Sequence, residues 1–95
     1  MIITWDERKS RSNLKKHGIS FEAAQLVFED PLHVSRQDRD EDGEQRWQTL
    51  GMADGVVLIL VAHTCQESER GEEHIRIISA RRATKMERKV YEQGA

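Results

Sequence analysis

Apolar positions along this chain come in short bursts, and the spacing within each burst predicts an element. Met1 to Trp5 is rich in β-forming residues and reads as a first strand, ended by Asp6 in the position of a helix N-cap. Glu7 to His17 contains one aliphatic residue, Leu14, so it is expected to form a helix that buries little. That helix displays Arg8, Lys9, Arg11, Lys15 and Lys16, and Gly18 stops it because glycine tolerates left-handed backbone. Ser20 caps a second helix, in which Phe21, Ala24, Val27 and Phe28 share one face at three- and four-residue spacing, and Pro31 ends it.

The period then shortens to that of strands. Leu32 to Gln37 reads as one, the charged run Asp38 to Gly43 as a loop, and Gln45 to Met52 as a longer strand. Asp54-Gly55 is a hairpin turn signal leading into Val56 to Thr64, the most apolar strand and the expected centre of the sheet. Gln66 to Glu73 reads as a second loop, turning at Arg70-Gly71 into a strand from His74 to Ser79. Thr84 and Glu87 have the spacing of a capping box for a last helix, Lys85 to Gln93. The predicted class is α+β in the order β-α-α-β-β-β-β-α. Two helices lie on a small, mostly antiparallel sheet, and the C-terminal helix packs back on it or on a partner.

Composition bounds the possibilities. Ninety-five residues are expected to form one domain, 1–95, with a single modest core, and 34% charged against 37% hydrophobic residues gives it a heavily charged exterior. The stretch from Gly55 to Ala62 is far shorter than the roughly 20 apolar residues of a membrane span. No secretory pattern precedes Trp5, so no membrane association and a cytoplasmic location are expected, which the single cysteine, Cys65, fits. The net charge of −2 conceals segregation: residues 1–17 carry +3, residues 18–73 carry −9 and residues 74–95 carry +4. The two basic ends either fold together into one face suited to a polyanion or lie apart.

The C-terminal strand gathers the most suggestive chemistry. Arg76, Arg81 and Arg82 lie on or just past its end, where planar guanidinium forks suit a phosphate; the alternative is a solvated strand end with surface ion pairs. Regular alternation puts Arg76 with Ile78 and Ala80, and Arg81 with Ile75, Ile77 and Ser79. Both arginines therefore point into one site only if the strand ends or bulges near Ser79. His17 follows Lys16 at the end of the first helix, where an imidazole either transfers protons near neutrality or caps the negative helix end. Glu44 and Arg46 share a face if their strand already starts there, as a catalytic unit or as a surface ion pair worth at most about 1 kcal/mol. His17, His33, His63 and His74 lack metal-ligand spacing, and Asp38, Asp40 and Asp42 lack the register of a calcium loop. No metal or other cofactor is expected.

Several motifs in fixed order carry a family resemblance over almost the whole chain. They are Trp5-Asp6-Glu7-Arg8-Lys9, Asn13-Leu14-x-Lys16-His17-Gly18-Ile19-x-Phe21, then Ala24, Val27-Phe28-x-Asp30-Pro31 and Glu44-x-Arg46. The last is Ile75-Arg76-Ile77-Ile78-Ser79-Ala80-Arg81-x-Ala83-x-x-x-Glu87-x-x-x-Tyr91. Together they resemble the BrnT toxin family. The resemblance implies a RelE-like ribonuclease toxin, encoded beside a BrnA antitoxin that neutralises it and binds DNA. The partners it implies are RNA and a BrnA-like antitoxin in a hetero-oligomer, with DNA reached only through the antitoxin.

The expected function is a metal-independent endoribonuclease toxin that cleaves RNA and so inhibits translation and growth. Such chemistry needs a base for the 2′-hydroxyl, cations for the pentacovalent phosphorane and an acid for the leaving 5′-oxygen. The candidate catalytic residues are Lys16, His17, Glu44, Arg46 and Arg81, and the candidate RNA-binding residues are Lys9, Arg76 and Arg82. The runner-up is a noncatalytic nucleic-acid or partner-binding module, and a third reading is a structural protein whose basic surface receives an acidic antitoxin segment.

Overall fold

Capping side chains set the helix boundaries. In the computed structural model, which describes residues 1–94, Asp6 accepts from the backbone N–H groups of Arg8 and Lys9 at 2.8 and 3.4 Å and opens α1, Glu7–His17. Ala95, the last residue of the expected domain, lies outside the described residues. Gly18 closes α1 at φ 74°, and its N–H donates to the Leu14 carbonyl. Ser20 caps α2, Phe21–Ala24, which tightens into a 3-10 turn over Gln25–Glu29. Pro31 disfavours helical backbone in the residue before it, and Asp30 is extended at φ −72° and ψ 117°. The Thr84–Glu87 capping box is formed at the start of α3, Lys85–Glu92.

The strands are β1 (Ile2–Thr4), β2 (Val34–Glu41), β3 (Glu44–Ala53), β4 (Val57–Glu67) and β5 (Glu73–Arg82). They form one mixed sheet in the order β1-β5-β4-β3-β2, with β1 parallel to β5 and every other pair antiparallel. The most apolar strand, β4, is central. Of the two charged runs expected as loops, Asp38 to Glu41 continues β2, whereas the second keeps a loop over residues 68–72 between β4 and β5. β2 and β3 meet at a two-residue turn whose Asp42 and Gly43 both have positive φ, 53° and 77°, the geometry that matches strand twist. Charge does not exclude a strand whose side chains point to water, and charged residues on the edge strand β2 discourage pairing with other chains. Likewise β4 and β5 extend to Glu67 and back from Glu73, and β5 runs on past Ser79 to Arg82.

Both sheet faces are covered, unequally. Ile59, Val61, Ile77, Ala80 and Ala53 pack under Phe21, Ala24, Val27 and Ile19 in the main core, on the face covered by α1 and α2. On the other face Leu50, Leu58 and Leu60 meet Ala83 and Tyr91 beside α3. Since α3 reaches only one end of this second face, the rest stays open.

As expected, α1 buries little, and it docks through polar residues. Leu14 is 51% exposed, and the buried residues of the helix are Ser10 and Asn13. Asn13 Nδ2 donates to the carbonyls of Ile19 and Ala80, both at 2.8 Å, and its Oδ1 accepts from the Ala80 N–H at 3.2 Å. A side-chain amide thus satisfies backbone groups of β5 where β1, paired only from His74 to Arg76, no longer reaches. Ser10 Oγ accepts from the Phe21 N–H at 2.9 Å and ties α1 to α2. No described helix is long and apolar enough to cross a membrane.

Candidate active site

A β-bulge brings the arginines of β5 together. Ile77 pairs with His63 and Ser79 with the next residue back, Ala62, which leaves Ile78 as an extra residue. Beyond the bulge the alternation is inverted, so Arg76 and Arg81 oppose Thr64 and Leu60, two residues on the same face of β4. Arg81 and Arg82 then point to opposite faces, Arg82 opposing Ile59 of the main core.

Across the open face the register builds a single row through all five strands: Thr4, Arg76, Thr64, Arg46 and Arg39. Three guanidinium groups thus share one surface, with Arg76 and Arg46 two strands apart, on the order of 10 Å by strand spacing. Glu44 lies between them. Its carboxylate oxygens accept from Arg76 Nη2 at 3.0 and 3.1 Å, and Oε1 stands 3.7 Å from Arg46 Nη2. The Glu44, Arg46 and Arg76 side chains are 31%, 26% and 51% exposed, so the cluster is open to a ligand and its ion pairs add little to stability.

A recess of about 200 Å³ opens beside this pair, lined by Thr4, Glu44, Thr64, Gln66, His74 and Arg76. His74, which lacks metal-ligand spacing in the sequence, stands here with Nε2 3.1 Å from Thr4 Oγ1. Its position two residues before Arg76 in a strand was the available signal, since that spacing shares a face.

Arg81 is engaged at the α3 end of the same face. Its Nη1 and Nη2 donate to the two carboxylate oxygens of Glu87, both at 2.9 Å. Hydrogen bonding from Arg81 holds the Glu87 carboxyl down at about 2, and the same bonds raise the Arg81 guanidinium. At the other end of α3, Tyr91 Oη donates to Asp30 Oδ2 at 2.5 Å, and that bond raises the phenol to about 12. Burial works to raise the Asp30 carboxyl, but bonds from Tyr91 and the Met52 and Leu32 amides outweigh it and lower it. Two polar clasps therefore hold a helix that has no buried residue.

Lys9, Lys16 and His17 stand elsewhere. They line a separate recess of about 200 Å³ with Ser12, Asn13 and the bulge residues Ile78 and Ser79, at the β5 edge covered by α1. Sequence reasoning placed Lys16, His17, Glu44, Arg46 and Arg81 in one catalytic set. The fold brings Glu44 and Arg46 together with Arg76, holds Arg81 on the same face against Glu87, and puts Lys16 and His17 with Lys9 in the other recess. The basic ends divide accordingly: β1, α1 and β5 adjoin, whereas α3 lies across the sheet from α1.

The remaining histidines and the cysteine face the helix side. His63 is 3% exposed, its Nε2 lies 2.7 Å from Thr49 Oγ1, and burial pushes its imidazole below the ordinary value. His33 Nδ1 lies 2.7 Å from the Asp30 carbonyl. Burial, then the nearby Glu73, pushes the Cys65 thiol up and away from thiolate reactivity. Among the described residues no three His, Cys, Asp or Glu side chains gather as a metal site.

Comparison with known proteins places this architecture. A family model described as the ribonuclease toxin BrnT of type II toxin–antitoxin systems matches residues 5–87. The 1.1 Å crystal structure of the Brucella abortus ribonuclease toxin, BrnT, is 32% identical in sequence and superimposes with a TM-score of 0.63, over 90% of this chain and 99% of that one. No curated protein matches significantly. The matched span runs from Trp5 through the Glu87 that clasps Arg81, and the chain belongs to the BrnT family of ribonuclease toxins of type II toxin–antitoxin systems.

Proposed function

We propose that the open sheet face is the ribonuclease site, and that the protein is a metal-independent endoribonuclease with Glu44, Arg46 and Arg76 at its centre. The observation that carries this reading is the placement of Glu44 between the two guanidinium groups on an uncovered surface. A phosphodiester entering the row would draw Arg76 and Arg46 onto its oxygens, where fixed cations stabilise the phosphorane more than the ground state. Glu44, released from Arg76, would then be the carboxylate at hand to take the 2′-hydroxyl proton. Arg81, on the same face, would add charge further along the strand once its fork leaves Glu87.

Lys9, Lys16, His17 and Arg82 are read here as backbone contacts, since they line another recess or another face. We read the fold as RelE-like. The antitoxin is taken to be BrnA-like, with an acidic segment that covers the arginine row, and the complex reaches DNA only through it. Action in the cytoplasm, against translation and growth, belongs to the same reading.

The test is cleavage of single-stranded RNA by the purified protein in EDTA. Products ending in 2′,3′-cyclic phosphate or 3′-phosphate are expected. Complete dependence on added magnesium overturns the mechanism, and binding without cleavage favours a noncatalytic nucleic-acid module.

A further inference from the structure

Transesterification of RNA moves two protons, and Glu44 accounts for one. The recess beside the Glu44–Arg76 pair is lined by one carboxylate and one imidazole, that of His74. We infer that His74 is the general acid of this site, protonating the 5′-oxygen as it leaves phosphorus; the inference rests on the ribonuclease reading of the open face. His74 precedes Arg76 by two positions on β5 and so shares its face, and a phosphate drawn to Arg76 would leave His74 one pleat further along. Its ring is aimed by Thr4, whose hydroxyl lies 3.1 Å from Nε2 and whose backbone is registered with Arg76 in the parallel pairing of β1. The side chain is exposed, so a nucleotide can reach it.

The other three histidines are placed for different work. His63 is buried against Thr49, His33 lies against the Asp30 carbonyl on the helix side, and His17 lines the recess beside α1. The 2′-hydroxyl gives its proton to Glu44 and its oxygen bonds phosphorus. The bond from phosphorus to the 5′-oxygen breaks, and that oxygen takes the proton of the His74 imidazolium. The products are a 2′,3′-cyclic phosphate and a 5′-hydroxyl, and solvent returns the proton from Glu44 to His74.

The experiment compares two single-stranded RNA oligonucleotides of one sequence, cleaved by the full chain and by His74→Gln. One has the ordinary linkage at the cleaved position, and the other has sulfur in place of the bridging 5′-oxygen. A thiolate leaves without protonation, because thiol pKa values lie near 8.5. His74→Gln is expected to lower cleavage of the ordinary linkage by about 10²- to 10⁴-fold, and cleavage of the sulfur linkage by less than about tenfold. Thr4→Val, which keeps the imidazole and removes the hydroxyl that aims it, is expected to show a smaller loss with the same rescue by sulfur. Equal losses on the two linkages, or an ordinary-linkage loss within about threefold, overturn the role of His74 while wild-type cleavage keeps the ribonuclease reading intact. Failure of the wild type to cleave either linkage overturns both.

Discussion

Arg76 and Arg81 face the same side of β5 because Ile78 is the extra residue of a bulge between them. Without the bulge, alternation would turn Arg81 into the main core opposite Ile59, where an unpaired guanidinium is costly. With it, one strand supplies two cations to the open face and still sends Ile75, Ile77 and Ala80 inward. Bulges recur where a strand must re-aim a side chain, and this one also lines the recess that holds Lys16 and His17.

The face assignment separates neighbouring arginines. Arg76→Ala is expected to lower RNA cleavage by about 10²-fold, the scale of losing one preorganised donor to transition-state charge. Arg82→Ala and Arg11→Ala should only weaken RNA association, more at low salt, as phosphate contacts do. Cleavage rates and salt-dependent binding of the three variants check this, and equal effects would indicate diffuse binding.

The clasp between Arg81 and Glu87 predicts a sign for acid stability. The Glu87 carboxyl, held at about 2 from an ordinary 4.5, contributes stability that is fully present above pH 4.5 and lost as the pH falls towards 2. Arg81 is 42% exposed, so solvent screening reduces the effect to about 1 kcal/mol. Glu87→Gln should be less stable than wild type at pH 6 and should change less between pH 4.5 and 2.5. Urea unfolding at those pH values reads both effects.

Gly51 has no room for a side chain. A Cβ there would lie 2.8 Å from Val27 Cγ1, 3.1 Å from the Val27 carbonyl oxygen and 3.2 Å from His33 Cβ. Gly51→Ala should therefore destabilise the protein by about 1–3 kcal/mol, because the 3-10 turn must move off the sheet. A lowered Tm is the expected result, and an unchanged one would show that the turn yields freely.

Asn13 bears on the docking of α1 more than any apolar residue of that helix. Asn13→Ala leaves the Ala80 N–H and the Ala80 and Ile19 carbonyls without their partner. A loss of about 2–4 kcal/mol is expected from several buried backbone groups at once. Amide exchange should speed up first at Ala80, and protection there equal to wild type would count against the assignment.

Much of the fold was legible locally. Asp6, Ser20 and the Thr84–Glu87 pair act within three residues of themselves, and Gly18 answers to its own backbone angle, so each could be read from its immediate sequence. The central strand was legible because a run buried on both faces has to be apolar throughout. The lengths of β2, β4 and β5 were obscured by charge, which marks exposure and not the absence of a strand. The site was legible only as ingredients. Glu44 and Arg76 are 32 residues apart, and what joins them is the register of β3, β4 and β5, a property of pairings between segments that no local pattern encodes. The parallel pairing of β1, which carries Thr4 to His74, depends on where the chain returns after all the intervening elements have packed. The bulge at Ile78 decides which arginines share a face, and it follows from a strand having to satisfy the core on one side and the open face on the other, a condition that exists only once the sheet is assembled.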